Sequence, residues 1–315
     1  MECTLLTKNE ACSIKQLQIF KKYGTNAAVT DFTLLLGIEV SNDHTSDTSY
    51  YLDPLFSDTR AADYWTKTIE EGKVVTISSY SFGYNSLTKG INKYIGIRPV
   101  IKYSDIKDDV QDKQISDKKV LEVEFGEYPQ TVCDEKTRLE LEKEYSENKL
   151  EKTGKKYSIN KTSIFTEYYY NEKKYIRFIA DREIIRTKLS NKNYIEYGKA
   201  YWIKVEPIIW MIDEKEDKAV SKKLLITGMP YDKENNIDFE KTYIYKYLNN
   251  YFIKEIKAEK KTKEKSKLEE FKQEIENMTL EELQELRIIL ENQMRKKVKI
   301  KSKGGILWDS LQSKN

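Results

Sequence analysis

"VLEVEFGEYPQ", residues 120–130, alternates apolar and acidic side chains through Phe125 and then meets Gly126 and Pro129. A period of two is the signature of a half-buried strand, and the Gly and Pro predict a turn at its end. Downstream, "AYWIKVEPIIWMID" (200–213) alternates as strongly and predicts a central strand, except near Pro207. Between them, "DEKTRLELEKEYSENK" (134–149) reads as a charged surface helix beginning at Asp134. "YYYNEKKYIRFIA" (168–180) reads as a hairpin about Asn171, with Tyr168, Tyr170, Ile176 and Phe178 on alternating faces. "AVSKKLLITGMPYD" (219–232) adds a strand pair or a strand and loop. "DFEKTYIYKYLNNYFIKEI" (238–256) has helical spacing, with Tyr243, Tyr247, Leu248, Tyr251 and Phe252 as its buried stripe.

Upstream of this block, Ser13 to Gly24 has apolar residues at helical spacing. "AAVTDFTLLLGIEVS" (27–41) is a dense apolar run in which Thr30 or Asp31 can cap a short helix. "YWTKT" (64–68) and "KVVTISSYS" (73–81) read as strands, "FGYNSLTKGIN" (82–92) as a loop, and "YIGIRPVIKY" (94–103) as a strand with Pro99 at an edge or bulge. Residues 104–118 are polar and read as a linker or long surface excursion.

The 39% apolar and 34% charged composition fits a globular chain with a well-solvated surface. No run approaches the roughly 20 apolar residues of a membrane span. "MECTLLTKNEACS" is too polar for a signal peptide, so cytoplasmic residence is expected. The net charge of +3 does not by itself demand nucleic acid. The 23 tyrosines exceed what core packing requires; binding surfaces and an AT-rich codon bias are two sources for them.

"FGEYPQ", "VEPIIW" (205–210), "LLIT" (224–227), "YIYKYLNNYF" (243–252), the Trp65 strand and "GIRPVI" (96–101) together resemble a family of bacterial domains of unknown function. That family has a C-type-lectin-like fold akin to the formylglycine-generating enzyme. Its members begin with a phrase like "FGEYPQ" and close with one like "GIRPVI". Here the closing phrases come first. The resemblance therefore implies an α+β, C-type-lectin-like domain over residues 1–257 that is circularly permuted, with its joint near 104–118. Termini that lie close together at a surface make such rejoining cheap. Two small domains, each with its own core, are the rival organisation. In the permuted reading the phrases are scaffold, with Trp65, Trp202 and Trp210 filling the space between sheet and helices.

The chemistry of the resembling enzyme is not carried over. It uses a copper-binding cysteine pair, and none of Cys3, Cys12 and Cys133 lies in a matching motif. Iron-dependent relatives need several histidines, and the chain has only His44. Zinc sites want four closely paired Cys or His ligands. Glu206-Pro207 lacks the Asn/Asp partners of a lectin calcium loop, and Asp105, Asp108, Asp109 and Asp112 lack the Gly and terminal Glu of an EF-hand. No phosphate loop, dinucleotide fingerprint or G-x-S-x-G elbow occurs. The expectation is a protein that is not an enzyme and uses no metal or cofactor.

After Lys257 the composition becomes almost wholly charged and helix-forming. Thr279 followed by Glu282 predicts a capping box, and Leu283, Leu286, Leu290 and Met294 repeat at helical steps as one face of a charged hairpin over 258–303. The tail 304–315 follows Gly304-Gly305 and carries Trp308 and Leu311. The leading expectation is a non-catalytic recognition protein that grips a protein partner through a Tyr-rich surface, these helices and this tail. A second copy of the chain is another partner that the helices suit. The alternative is an accessory or inhibitory factor encoded by a phage or mobile element. It would act on a nucleoprotein, such as a host defence nuclease, through Arg295, Lys296, Lys297 and Lys299, in a block without acids.

Overall fold

The computed structural model describes residues 1–12, 27–40, 61–77, 84–88, 94–110, 113–115, 121–159, 163–185, 187–234, 236, 238–257, 278–279, 282–283 and 287. The chain divides into two compact units, Met1–Ala258 and Glu259–Asn315. The fold is α+β and rich in sheet.

In the first unit the elements run β1 (Cys3–Thr4), α1 (Lys8–Cys12), β2 (Ala28–Val29), α2 (Asp31–Leu35), β3 (Tyr64–Glu70), β4 (Lys73–Ile77), β5 (Tyr84–Thr88), β6 (Val100–Lys102) and β7 (Lys113–Ile115). There follow β8 (Leu121–Val132), α3 (Glu135–Ser146), β9 (Glu151–Ser158), β10 (Ile164–Tyr170), β11 (Lys173–Ile179), β12 (Ala200–Asp213), β13 (Lys218–Ser221) and β14 (Lys223–Leu224). The unit closes with a 3-10 turn (Phe239–Lys241), α4 (Tyr243–Tyr247), a π-turn (Leu248–Phe252) and α5 (Ile253–Lys257).

The main sheet is antiparallel and ordered β1-β6-β13-β12-β11-β10-β9, with β8 on β12 and β7 on β8. Its hub is β12, which pairs with β11 at Ala200–Lys204, with β13 at Trp210–Asp213 and with β8 from Ile203 to Met211. This is why β12 is the most continuously apolar strand: both its faces are covered. Ile203 and Trp210 enter the main core, while Trp202 enters a second cluster with Cys133, Leu141, Tyr168 and Tyr175 beneath α3. Asp134 caps α3 by accepting from the Thr137 N–H at 2.9 Å. Arg177 on β11 holds Glu142 of α3 at 2.8 and 2.9 Å, and the Trp202 indole N–H donates to the same carboxylate.

The opening stretch turns out differently from its reading as a strand that ends in a turn. Residues 121–132 form one strand, with Gly126 (φ +69°) at an irregularity inside it. Register shifts fall between Lys204 and Val205 and between Pro207 and Ile209. Bulges accommodate what a regular ladder rejects, here Pro129 and Pro207 on facing strands. Gln130 donates to the carbonyls of Glu206 (3.0 Å) and Pro207 (2.8 Å) across the irregular stretch. Tyr128 is fully buried, with Phe32 (6.1 Å), Tyr157 (5.4 Å) and Phe252 (5.3 Å) edge-on around it.

Gly126 does more than bend the strand. A Cβ built on it would lie 2.9 Å from the Ile256 Cβ of α5. Gly126→Ala therefore meets both left-handed strain and overpacking, together costing about 3 kcal/mol. Chemical denaturation should show that loss with an unchanged m-value; a variant as stable as wild type would mean that α5 does not sit where it is placed.

Other readings shift as well. "FGYNSLTKGIN", read as a loop, contains β5, which pairs with β4. Residues 104–118, read as a linker, contribute part of a 3-10 turn at Tyr103–Asp105 and the strand β7. The helix over 238–256 is interrupted by the π-turn, and this re-phases its stripe. Tyr247, Leu248 and Phe252 are buried, Tyr243 is half-buried, and Tyr251 is 55% exposed. The helix over 13–24 lies outside the described residues. The hairpin about Asn171 forms as read: Asn171 and Glu172 both have positive φ, as a two-residue primed turn requires.

One hydrophobic core draws on both sides of residues 104–118, including Phe32, Trp65 and Ile97 from before and Tyr128, Trp210 and Tyr231 from after. Gly96 of "GIRPVI" bridges to Tyr64, and Ile97 bridges to Ile226 of "LLIT". A Cβ on Gly96 would meet Leu224 Cδ1 at 2.6 Å, so glycine is what lets these segments close. Among the described residues, no helix is long and apolar enough to cross a membrane.

Of the second unit, the capping box is as read. The Glu282 N–H donates to Thr279 Oγ1 at 3.3 Å, and the Thr279 N–H donates to Glu282 Oε2 at 2.7 Å.

Candidate recognition surface

Between β11 and β12 the chain leaves the sheet for residues 180–199, a connection longer than the few residues that join most antiparallel strands. Several bonds fix its shape. Ile184 and Ile195 exchange backbone hydrogen bonds at 3.0 and 3.3 Å, and the Gly198 N–H returns to the Ala180 carbonyl at 2.9 Å. The Tyr201 phenol accepts from the Glu196 N–H at 2.8 Å and donates to the Tyr194 carbonyl at 3.2 Å. Lys192, at φ +71°, turns the tip.

The deepest anchor is Asp31. Thr30 caps α2 through a reciprocal box with Thr33 (3.1 and 3.2 Å), so the cap does not draw on the Asp31 carboxylate. Though fully buried, it accepts from the Val132 N–H and the Ser190 N–H, both at 2.9 Å, and from the Ser190 hydroxyl. One carboxylate thus ties α2, the end of β8 and the excursion together.

This framework presents large apolar side chains among charged ones. Tyr197 is 76% exposed, Ile185 67%, Ile179 56% and Tyr194 44%, a concentration that single scattered surface residues do not explain. The Ile184–Ile195 bridge sets Ile185 across from Tyr194, so these two are cross-strand neighbours. At the foot of the excursion lies a cleft of about 520 Å³, lined by Leu34, Ile38, Val40, Tyr94, Arg182 and Ile185 among others. Cations lie over the rings: Arg182 over Tyr94 (5.8 Å), Lys188 over Tyr194 (5.1 Å) and Lys199 over Tyr201 (5.9 Å). Arg182 holds Asp181 at 2.9 Å and depresses its carboxyl pKa, while Glu196 beside Lys199 raises the ammonium. The walls are therefore aromatic and aliphatic, with a mixed-charge rim.

A second cleft, of about 450 Å³, opens between the charged Glu2, Lys67, Lys102, Asp217 and Lys218, with Val100, Ile101, Phe239 and Tyr245 also lining it. Tyr245 donates to Glu2 at 2.9 Å, and this bond pushes its phenol up to about 12. Lys218 is committed to Glu10 at 2.7 Å. Among the described residues, neither cleft assembles a nucleophile with a base. Cys3 and Cys133 are buried free thiols whose pKa values burial raises, that of Cys133 to about 12, which is the opposite of a reactive thiolate. Among the described residues, no group of three or more His, Cys, Asp or Glu side chains is placed to hold a metal ion.

The site residues read from sequence belong to the second unit. Leu283 is helical and half-buried. Leu286, Leu290, Met294, Trp308 and Leu311 lie outside the described residues, as do Arg295, Lys296, Lys297, Lys299 and His44. The residues missed are Ile179, Ile185, Tyr194 and Tyr197. Ile179 ends β11; for the other three the signal in "DREIIRTKLSNKNYIEYGK" (181–199) is the absence of any strand or helix period between two strong strands, combined with retained large apolar side chains. No family model matches the chain, and no curated protein or solved structure is similar to it.

Proposed function

We propose that the protein is a non-catalytic recognition protein that docks a protein partner on the 180–199 excursion and the cleft at its foot. The observation that carries this reading is the pinned excursion itself. Its backbone is fixed by Asp31 and Tyr201, yet it leaves Ile185, Tyr194 and Tyr197 in solvent. Rigid aromatic anchors lose little entropy on binding and supply much of the energy at interface hot spots. On the same reading the helical face of Leu283, Leu286, Leu290 and Met294, with Trp308 and Leu311 of the tail, gives the partner a second grip. The reading of the first unit as a C-type-lectin-like domain with permuted order is part of the proposal. Its support is that the phrases carrying the resemblance share one core.

The test uses full-length protein as bait in extracts of its native host. A captured protein is then titrated, purified, against wild type and the double variant Ile185→Ala/Tyr197→Ala. Removal of two exposed anchors should weaken binding about 100-fold, at roughly 1–2 kcal/mol for each anchor, with Tm unchanged. Equal affinity would remove the excursion from the interface. Retention of nucleic acid that falls steeply with salt and survives the double variant would overturn the reading in favour of a nucleoprotein target.

A further inference from the structure

α5 is the last helical turn of the first unit, and Ile256 on it packs against Gly126 of β8. Its neighbour Glu255 turns toward β9, where the Ser158 N–H donates to Oε1 at 2.8 Å. The other oxygen, Oε2, is buried and has no hydrogen-bond partner. An ionised carboxylate offers about four acceptor sites, and one buried donor leaves most of them unmet. A neutral acid is the form that suits this seat.

The titratable groups that face Glu255 do not reverse this. From β9 come Lys155 and Tyr157, from β8 Tyr128, and from α4 Tyr247; Glu127 of β8 and Glu167 of β10 stand behind Tyr157. Tyr157 donates to Glu167 at 2.5 Å, Tyr128 and Tyr247 share a hydroxyl contact at 3.4 Å, and Glu127 pairs with Lys174. Lys155 is the one cation in the set, and its Nζ lies over the Tyr157 ring at 5.0 Å. Burial outweighs the Ser158 bond and the attraction of Lys155, raising the Glu255 carboxyl from its ordinary value to about 7.

We propose that α5 is a proton-dependent latch: the neutral Glu255 carboxyl seats the helix on β8 and β9, and its ionisation loosens that seat.

The sign follows from linkage. A carboxyl whose folded pKa lies above its unfolded value stabilises fully below the unfolded value, and that stability is lost as pH rises through about 7. The chain has a single histidine, His44, so few side chains compete in this window. The experiment measures Tm and backbone amide exchange from pH 5 to pH 8.5 on full-length wild type, Glu255→Gln and His44→Gln, with exchange corrected for its intrinsic rise. In wild type and His44→Gln the folding equilibrium should fall roughly 100-fold, and protection over 253–257 should fall with the same midpoint. Glu255→Gln should stay flat. Lys155→Met, which removes the opposing cation, should move the wild-type midpoint to higher pH and keeps the test open if Glu255→Gln does not fold. A wild-type profile that is flat, a Glu255→Gln profile as steep as wild type, or an unmoved midpoint in Lys155→Met would overturn the latch.

Discussion

Asp31→Ala should lower the stability of the first unit by about 3 kcal/mol, because the buried Val132 N–H and the Ser190 N–H then lose their acceptor. For a unit of this size that corresponds to a Tm drop on the order of 10 °C. The loss should not be spread evenly. Exchange should speed first at Ser190 and through 180–199, since this one carboxylate ties that segment to both α2 and β8. Asp31→Asn keeps one acceptor and should lose less. A Tm unchanged in Asp31→Ala would show that the excursion holds its shape without this anchor, and the case for a preformed docking surface would weaken with it.

The second large effect is expected from cutting the chain. Residues 1–110 expressed alone should show no cooperative unfolding transition. Of the main sheet this fragment retains only β1 and β6, a pairing of two residues, while the partner of β6 on its other side, β13, lies beyond the cut. The three strands β3, β4 and β5 remain, but Trp65 loses the Tyr231 ring 5.3 Å away, and Phe32 loses Tyr128 and Phe165. A small sheet stripped of its packing layer is marginal in water. Calorimetry of the fragment decides the matter: a sharp heat-absorption peak would mean two independent cores and would end the proposal of a single permuted domain.

Local signals carried much of the secondary structure. The alternation of 200–213, the Asn171 turn, the Asp134 cap and the Thr279–Glu282 box each need only a few neighbouring residues, and each is where the residues put it. The errors arose where a distant partner decides. Pro129 and Pro207 look like strand breakers in isolation; paired with Val205 and Glu127, each beside a register shift, they are tolerated within paired strands. Tyr251 belongs to the apolar stripe at 3.6 residues per turn, but the π-turn rotates it to solvent.

The surface offered for recognition was the least legible. No pattern says that Asp31, read as one of two caps for α2, instead reaches Ser190, far away in sequence. Nor does spacing reveal that Ile185 and Tyr194 face solvent while Ile184 and Ile195 hold the bridge beneath them.

By itself, then, the sequence determined the period of its longer strands and the ends of its better-capped helices. Which face of each element became interior was settled only by the tertiary structure. The reason is physical: periodicity is a property of a few adjacent residues, whereas burial and the pairing of a lone carboxylate depend on groups that the chain brings together from a hundred or more positions away.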